Sequence, residues 1–296
     1  MGFFYLNNKR FAKYKSRFLL IFEKLLAFLF SAFMASKLEY EDIGFWSQII
    51  FAASLFTSIS GLNVANGLIA IVPRIKKMEQ KYEFIFKSGL VLIIFSIILA
   101  LTFFSIKNYL ADILFNEQQS VFIFFFILIV GFLDMILEFL LYAFRSFNNF
   151  AISNNLLIYR LVPKIFVFIG VFKSDINLMI NIFFVSYLIT IGCIFAQLIC
   201  LKMHQIRYLI INNFSPNLIL KPSIHLKSLY ILSKNSALAT IASTLFFFLI
   251  RSVVTAKLGL EGVGELSLSL SAGALILAIT SLLGFTFYPH ISSLAM

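Results

Sequence analysis

The stretch RSVVTAKLGLEGVG, residues 251–264, decides the fold because the chain carries an earlier version of it. When the sequence is shifted by 220 positions, five nearby residues fall on identical ones and Val263 falls on Ile43. The identical pairs are Lys257 with Lys37, Leu258 with Leu38, Glu261 with Glu41, Gly264 with Gly44, and Ser267 with Ser47. Both copies join one long apolar run to another. We therefore interpret residues 18–73 and 228–289 as the beginnings of two related halves, of which the first is complete and the second ends early.

The composition excludes a soluble domain and indicates membrane-spanning helices. Of the residues, 61% are hydrophobic and 12% are charged, and apolar runs of about 18 or more residues recur along the chain. They predict spans at 18–36, 45–72, 85–106, 120–143, 150–172, 178–201, 229–255 and 266–289. The predicted fold class is an all-α integral membrane protein of about eight transmembrane helices: a complete six-helix bundle plus the first two helices of a second, related bundle. The predicted units are the first bundle at 1–201, a cytoplasmic linker at 202–227 and the start of the second bundle at 228–296.

The basic residues of the loops predict the orientation in the membrane. Sixteen of them lie on one side of the predicted spans, and they are Lys9, Arg10, Lys13, Lys15, Arg17, Arg74, Lys76, Lys77, Lys81, Lys87, Arg145, Lys202, Arg207, Lys221, Lys227 and Lys234. The other side has only Lys37, Lys107, Lys173 and Lys257. Because loops rich in Lys and Arg face the cytoplasm, both termini are predicted to be cytoplasmic. The net charge of +11 is then largely a topology signal, and no nucleic-acid partner is expected.

The direction of the helices predicts how the halves are related. Six spans precede the linker, so the seventh helix enters the membrane in the same direction as the first. The halves are therefore expected to be parallel repeats, related by an axis along the membrane normal.

Seven ionisable residues fall at membrane depth, where charge is costly and usually faces a partner or a watery cavity. They are Glu23, Lys24, Asp134, Glu138, Arg160, Lys164 and Arg251. Asp134 and Glu138 share one helix face, as do Arg160 and Lys164, because each pair is spaced i, i+4. One interpretation is an ion-pair ladder between the neighbouring fourth and fifth helices. The other is a cavity in which the cations bind an anionic substrate and the acids exchange protons.

Depth along the helices favours a cationic track. Lys24 and Arg160 fall in the inner half of the membrane, and Lys164 and Arg251 fall in the outer half. Each of the two end residues, Lys24 and Arg251, also has a simpler interpretation as a side chain that snorkels to the interface. Asn63 and Asn66, in SGLNVANG, are predicted to add amide groups to a polar cavity.

No residue pattern predicts catalysis. The three histidines are scattered at predicted cytoplasmic ends, and no phosphate-binding glycine loop or metal-ligand cluster is present in the sequence. We therefore expect a membrane transporter rather than an enzyme, with no cofactor and no metal.

Residues 232–292, LSKNSALATIASTLFFFLIRSVVTAKLGLEGVGELSLSLSAGALILAITSLLGFTFYPHIS, resemble the seventh and eighth helices of bacterial O-antigen flippases. The closest likeness is to the branch that moves the lipid-linked enterobacterial common antigen unit. Weaker matches follow the same order upstream: SGLNVANGLIA at 60–70, AFRSFNNFAISN at 143–154 and LKPS at 220–223. These proteins belong to the multidrug/oligosaccharidyl-lipid/polysaccharide exporter superfamily, whose flippases have two six-helix bundles around a central cavity.

The resemblance implies a function and a site. The substrate would be an undecaprenyl-diphosphate-linked oligosaccharide, turned from the cytoplasmic to the periplasmic leaflet of the bacterial inner membrane for surface polysaccharide biosynthesis. Membrane lipid and other membrane proteins of polysaccharide assembly would be its partners. Arg145 and Arg251 stand where the family pattern also has arginine, and both are expected in the diphosphate site. Arg160 and Lys164 fit no family motif, so their place in that site, with Lys24, is expected from their depth in the membrane alone. Asp134 and Glu138 are expected to serve as counter-ions or in proton coupling.

The chain departs from the family pattern in length, since four more helices are expected after Met296. We expect a fragment of a longer reading frame. Three alternatives stay open at this point: a drug or cation exporter of the same superfamily, an O-antigen polymerase, and an inactive remnant. A polymerase would need a long periplasmic loop, and an exporter of cationic drugs would favour an acid-lined cavity.

Reporter fusions test the predicted orientation. Fusions after Lys107 and Lys257 are expected to report a periplasmic position, and fusions after Lys81 and Lys221 a cytoplasmic one, because of the asymmetry of the loop cations. Alkaline phosphatase and fluorescent-protein activities measure the two outcomes. A reversed pair would show that the number of spans before that point is wrong.

Overall fold

The structure is a computed structural model that describes the backbone of residues 2–116, 121–147, 149–213 and 224–294. Helices account for almost all of this part of the chain, and it contains no strand. They are α1 (Gly2–Ala35), α2 (Tyr40–Gly61), α3 (Val64–Ile71), α4 (Met78–Ser105), α5 (Lys107–Phe115), α6 (Val121–Ser146), α7 (Phe150–Phe172), α8 (Ile176–Asn213) and α9 (Ile224–Leu294), with a 3-10 turn at Val72–Arg74. The side chains of Lys24 and Asn66 lie outside the described part.

The helices form a multi-pass membrane protein. Within the described residues, six helical segments are long and apolar enough to cross a membrane: Tyr40–Gly61, Met78–Ser105, Val121–Ser146, Ile152–Phe172, Ile176–Ile194 and Ile231–Ala274. Helices satisfy every backbone hydrogen bond within the segment, which a hydrocarbon environment requires. The all-α membrane class is thereby confirmed, whereas the number eight for the spans stays a prediction.

Three predicted boundaries differ from the observed helices. The predicted second span, 45–72, is divided, because Leu62 and Asn63 adopt left-handed backbone angles, φ 45° and 48°, between α2 and α3. The predicted connection after 106 contains the short helix α5. The predicted sixth span, which corresponds to α8, does not end at residue 201, because the helix runs to Asn213. Residues 202–213 contain neither Gly nor Pro, so the helix continues into the segment predicted as a linker.

Many of the cations assigned to the loops lie inside the observed helices, and one of them is buried. Lys87 is inside α4, buried to 7% exposure, and its Nζ is 2.7 Å from a carboxylate oxygen of Glu83. The pair is spaced i, i+4 on one helix, where opposite charges support each other. Lys87 is therefore neutralised locally, and it carries less weight in the orientation than the loop residues do.

Helix α9 folds back on itself at Gly259. This residue has φ 67° and ψ −166°, a conformation open essentially only to glycine. An Nη of Arg251 lies 3.2 Å from the hydroxyl of Ser267, whereas 16 residues of straight helix would separate them by about 24 Å. The two residues are equally far from Gly259 in sequence. Residues 224–258 and 260–294 are therefore two arms of a hairpin, called here the first and second arm of α9.

The second arm of α9 crosses α2 at backbone contact. A methyl group on Gly44 would overlap the carbonyl oxygen of Leu260, and one on Gly264 would overlap the carbonyl oxygen of Tyr40. Between them, the hydroxyls of Ser47 and Ser267 are 2.7 Å apart. Small residues allow this approach, as is common between membrane helices.

The crossing relates the two copies of the repeated sequence to each other. Gly44 and Gly264, and Ser47 and Ser267, are separated by 220 residues, and each member of a pair contacts the other. A second pair of contacts follows the same relation. Arg251 packs over the Phe51 ring, and the residues at the corresponding positions, Ser31 and Ser271, are hydrogen-bonded to each other. Contacts that map onto one another in this way are those expected of equivalent, parallel helices around a two-fold axis.

The glycine contact generates a stability prediction. Gly44→Ala is expected to destabilise the protein by about 1–3 kcal/mol, because the new methyl group meets backbone atoms, which do not rotate away. Gly273→Ala, in the second arm, is the matched control, since its methyl group would meet open space. Thermal unfolding midpoints in detergent compare the two variants. Equal midpoints would show that the helices do not cross at Gly44.

Candidate functional site

A cavity of about 420 Å³, called here the central cavity, lies between α9 and four of the helices that precede it. Its wall comes from α1, α2, α7, α8 and both arms of α9. Most of the wall is apolar, but five serines and two cations also face it: Ser31, Ser47, Ser54, Ser267, Ser271, Lys164 and Arg251. The described lining contains no carboxylate. The cavity thus combines positive charge with hydroxyl groups in an apolar surrounding.

Arg251 is held at the crossing of α2 and the second arm. Its guanidinium donates hydrogen bonds to the hydroxyls of Ser47 and Ser267 and to the amide oxygen of Gln48, at 3.2–3.3 Å. It also stacks over the ring of Phe51, with 4.7 Å between Cζ and the ring centre. Only 8% of Arg251 is exposed, and within the described residues no carboxylate pairs with it. Its positive charge therefore stays available to an anion.

Gln48 positions Arg251 and is itself fully buried. Its amide nitrogen donates to the carbonyl oxygen of Leu114, at 2.9 Å, and to the hydroxyl of Thr255, at 2.8 Å. Its amide oxygen accepts from Arg251. With all of its partners buried, Gln48 has one favourable orientation, and the guanidinium is consequently fixed.

A ladder of ionised groups runs behind Lys164. The ammonium of Lys164 is 2.5 Å from a carboxylate oxygen of Glu23, on α1. Arg160 lies one turn away, with its Nε 3.9 Å from Glu23 and 3.8 Å from Asp134. Asp134 in turn accepts a hydrogen bond of 2.7 Å from the hydroxyl of Tyr187. Positive and negative groups alternate along this ladder, so each charge has an opposite neighbour.

A second cavity, of about 180 Å³, lies at the break between α2 and α3. Glu138 and Asn63 both line it, together with Thr57, Ser58 and Thr240. The amide nitrogen of Asn63 donates to the hydroxyl of Thr240 at 3.2 Å, so that α3 is tied to the first arm of α9.

The structure thus distributes the predicted site residues over several places. Arg251 and Lys164 share the central cavity, whereas Arg160 is not part of its described lining and lies against Asp134 and Glu23. Glu138 and Asn63 line the second cavity. Arg145, at the end of α6, donates from Nε to the hydroxyl of Ser153 and packs over the ring of Tyr142.

Sequence reasoning missed two residues that organise the site. One is Glu23, whose depth in the membrane the sequence indicates but whose contacts with both cations of α7 it does not. The other is Gln48, and its place inside the apolar run IGFWSQIIFAAS is a signal in the sequence. A buried amide in such a run has to find hydrogen-bond partners.

The fold and these cavities together define a helical multi-pass membrane protein with a largely apolar cavity that two cations face. The chain matches no protein-family model, no curated protein and no solved structure. The likeness to O-antigen flippases is therefore a prediction that these comparisons do not support.

The ladder predicts unequal effects of its members on stability. Glu23→Gln is expected to cost about 1–3 kcal/mol, because two cations lose a shared carboxylate. Lys164→Met should cost less, since Glu23 keeps Arg160. Thermal midpoints of the two single variants and of the double variant form a double-mutant cycle. The double variant should lose less stability than the sum of the losses in the single variants. Additive losses would show that the two side chains do not interact.

Proposed function

We propose that the protein is a flippase that turns an undecaprenyl-diphosphate-linked oligosaccharide from the cytoplasmic to the periplasmic leaflet. The observation that carries this proposal is the central cavity, in which Arg251 and Lys164 face one space between the two halves. In the proposed protein eight helices span a bacterial inner membrane, and both termini are cytoplasmic. The surface polysaccharide assembled from the substrate is O-antigen or a related glycan.

The lining of the central cavity suits a lipid diphosphate. Carrying its anion through hydrocarbon costs several kcal/mol or more, and both hydration of the path and fixed cations reduce the cost. Arg251 supplies a planar donor that matches phosphate oxygens, and Lys164 supplies a point charge. The serine hydroxyls add donors, and the apolar remainder of the wall is compatible with a prenyl chain.

The two cations differ in how available they are. Arg251 is bonded to neutral groups, so an arriving anion meets a full positive charge. Lys164 is paired with Glu23 and has to exchange that partner for the substrate. Glu23 keeps Arg160 as a partner during the exchange, 3.9 Å away. The ladder therefore supports a site in which Lys164 is released while every remaining charge stays paired.

The charge of the lining argues against export of cationic drugs. Such a substrate would need acidic groups in its path, whereas the described lining of the central cavity has two cations and no carboxylate. In a medium of low dielectric constant, the two cations of the lining would repel a cationic drug at short range.

Complementation tests the proposal in a strain that lacks its own O-antigen flippase. Arg251→Gln is expected to abolish surface polysaccharide, because the amide cannot replace the charge that faces the cavity. Arg251→Lys should retain part of the activity, since the charge remains but the forked donor geometry is lost. Polysaccharide display is measured by gel analysis of surface extracts, with protein level and membrane insertion checked by immunoblot.

Two further variants sharpen this experiment. Arg160→Gln is expected to impair display as well, through loss of a partner of Glu23 and Asp134. Lys107→Gln is the control, since Lys107 lies at the start of α5 over the ring of Phe104 and not in the central cavity. Normal display with Arg251→Gln would overturn the proposed role of the central cavity.

A further inference from the structure

A compact basic surface lies at the connection between α3 and α4. Its cations fall within residues 74–81 and are Arg74, Lys76, Lys77 and Lys81, with Glu79 as the single acidic residue of the stretch. The first three are exposed and Lys81 is half-buried. Within the part of the chain that the structure describes, no carboxylate forms an ion pair with any of them. These cations, called here the basic patch, therefore present an unbalanced positive charge to their surroundings.

One buried side chain holds the backbone of the basic patch in place. Ile75 lies between Arg74 and Lys76 and is only 4% exposed, because it belongs to an apolar cluster of α3, α4 and α6. Its amide donates to the carbonyl of Val72 at 3.3 Å, at the end of the 3-10 turn. While Ile75 points inward, its two cationic neighbours stay at the surface. An ordered backbone of this kind loses little conformational entropy when a ligand binds to the patch.

The basic patch lies at the depth of the lipid headgroups. Helix α4, which starts beside it, is long and apolar enough to cross the membrane and exposes Val91, Ile94 and Ile98 along its length. Lys81 precedes Phe95, near the middle of the apolar run 85–106, by 14 residues. This separation corresponds to about 21 Å along the helix axis. Headgroups occupy a layer at about 15 to 22 Å from the midplane of the membrane, so the patch and this layer coincide.

We infer that the basic patch binds the headgroups of anionic phospholipids, such as phosphatidylglycerol. Arg74 offers a planar donor that matches phosphate oxygens, and the three lysines offer point charges. Each Lys or Arg at an anionic membrane surface strengthens such binding about fivefold. Positive charge directly above the exposed apolar side chains of α4 is complementary to a phospholipid, in which a charged headgroup adjoins acyl chains.

Lipid binding at the basic patch stabilises the packing of α3 against the first arm of α9. Ile75, inside the patch, shares its apolar cluster with Leu229 of the first arm. The contact is close, since a methyl group on Gly67 of α3 would overlap the Leu229 side chain. An anionic headgroup reduces the repulsion among the cations around Ile75 and so favours the packed arrangement. This inference goes beyond the proposed function, because the patch is not part of the described lining of the central cavity.

Lipid binding to the purified full chain tests the inference directly. Native mass spectrometry in a neutral detergent compares the affinities for phosphatidylglycerol and phosphatidylcholine. Thermal midpoints are measured in phosphatidylcholine nanodiscs with an increasing fraction of phosphatidylglycerol. Preferential binding of phosphatidylglycerol is expected, together with a rising midpoint, because a ligand of the folded state stabilises it. The glutamine variant, with Lys76→Gln, Lys77→Gln and Lys81→Gln, should bind phosphatidylglycerol at least about tenfold more weakly and lose the rise of the midpoint.

Two further variants guard against effects of folding or membrane insertion. An arginine variant at the same three lysine positions keeps every charge, and it should bind phosphatidylglycerol as the wild type does. The matched control carries Lys107→Gln, Lys173→Gln and Lys257→Gln, so that it loses the same number of charges outside the basic patch. It should keep the rise of the midpoint with phosphatidylglycerol. Added salt should weaken the preference for this lipid in the wild type, because salt screens exposed charges.

The outcomes separate this inference from the proposed function. Equal affinity of the wild type for the two lipids would overturn the inference, and so would an undiminished rise of the midpoint in the glutamine variant. If inorganic phosphate alone produced the same rise, the patch would be a site for soluble anions and the assignment to lipid would be wrong. Arg251→Gln should keep the rise even where it abolishes polysaccharide display, since Arg251 is not part of the basic patch.

Discussion

The backbone contact between α2 and the second arm of α9 is the constraint on which the rest of the structure depends. Two glycines, Gly44 and Gly264, allow the helices to touch without side chains between them. Membrane helices associate through such packing and through hydrogen bonds, because lipid supplies no hydrophobic drive. The contact brings Ser47 to Ser267 and aligns Arg251 with both hydroxyls. The central cavity lies beside this crossing.

Charges inside the protein fall into two groups with different consequences. In the ladder, Glu23, Lys164, Arg160 and Asp134 neutralise one another, which limits the cost of burial but yields little net stability. Arg251 has only neutral partners in the described part of the structure. A buried guanidinium in this state is costly to the fold unless a ligand repays it, and such a residue at membrane depth usually serves a function.

The sequence predicted the helical membrane class and a connection between residues 255 and 266, where Gly259 lies, because apolar length is a local signal. The i, i+4 spacing of Arg160 and Lys164 predicted a shared helix face. It did not predict that Lys164 lines the central cavity while Arg160 lies against Asp134, since that depends on how α1 and α6 pack on α7. The sequence does not predict the break at Leu62 for a similar reason: leucine disfavours the left-handed conformation, and only tertiary contacts impose it.

The internal symmetry has a consequence for how a single arginine came to lie near the axis. Under the 220-residue shift, Arg251 corresponds to Ser31. Their contact partners correspond in the same way, since Phe51 corresponds to Ser271. A homodimer of identical half-length chains must carry the same residue at both places, hence two arginines that repel each other or none. Two copies of a repeat within one chain are free of this restriction, because their residues can differ. Covalent linkage of the halves is what permits an unequal pair, with positive charge on one side of the axis only.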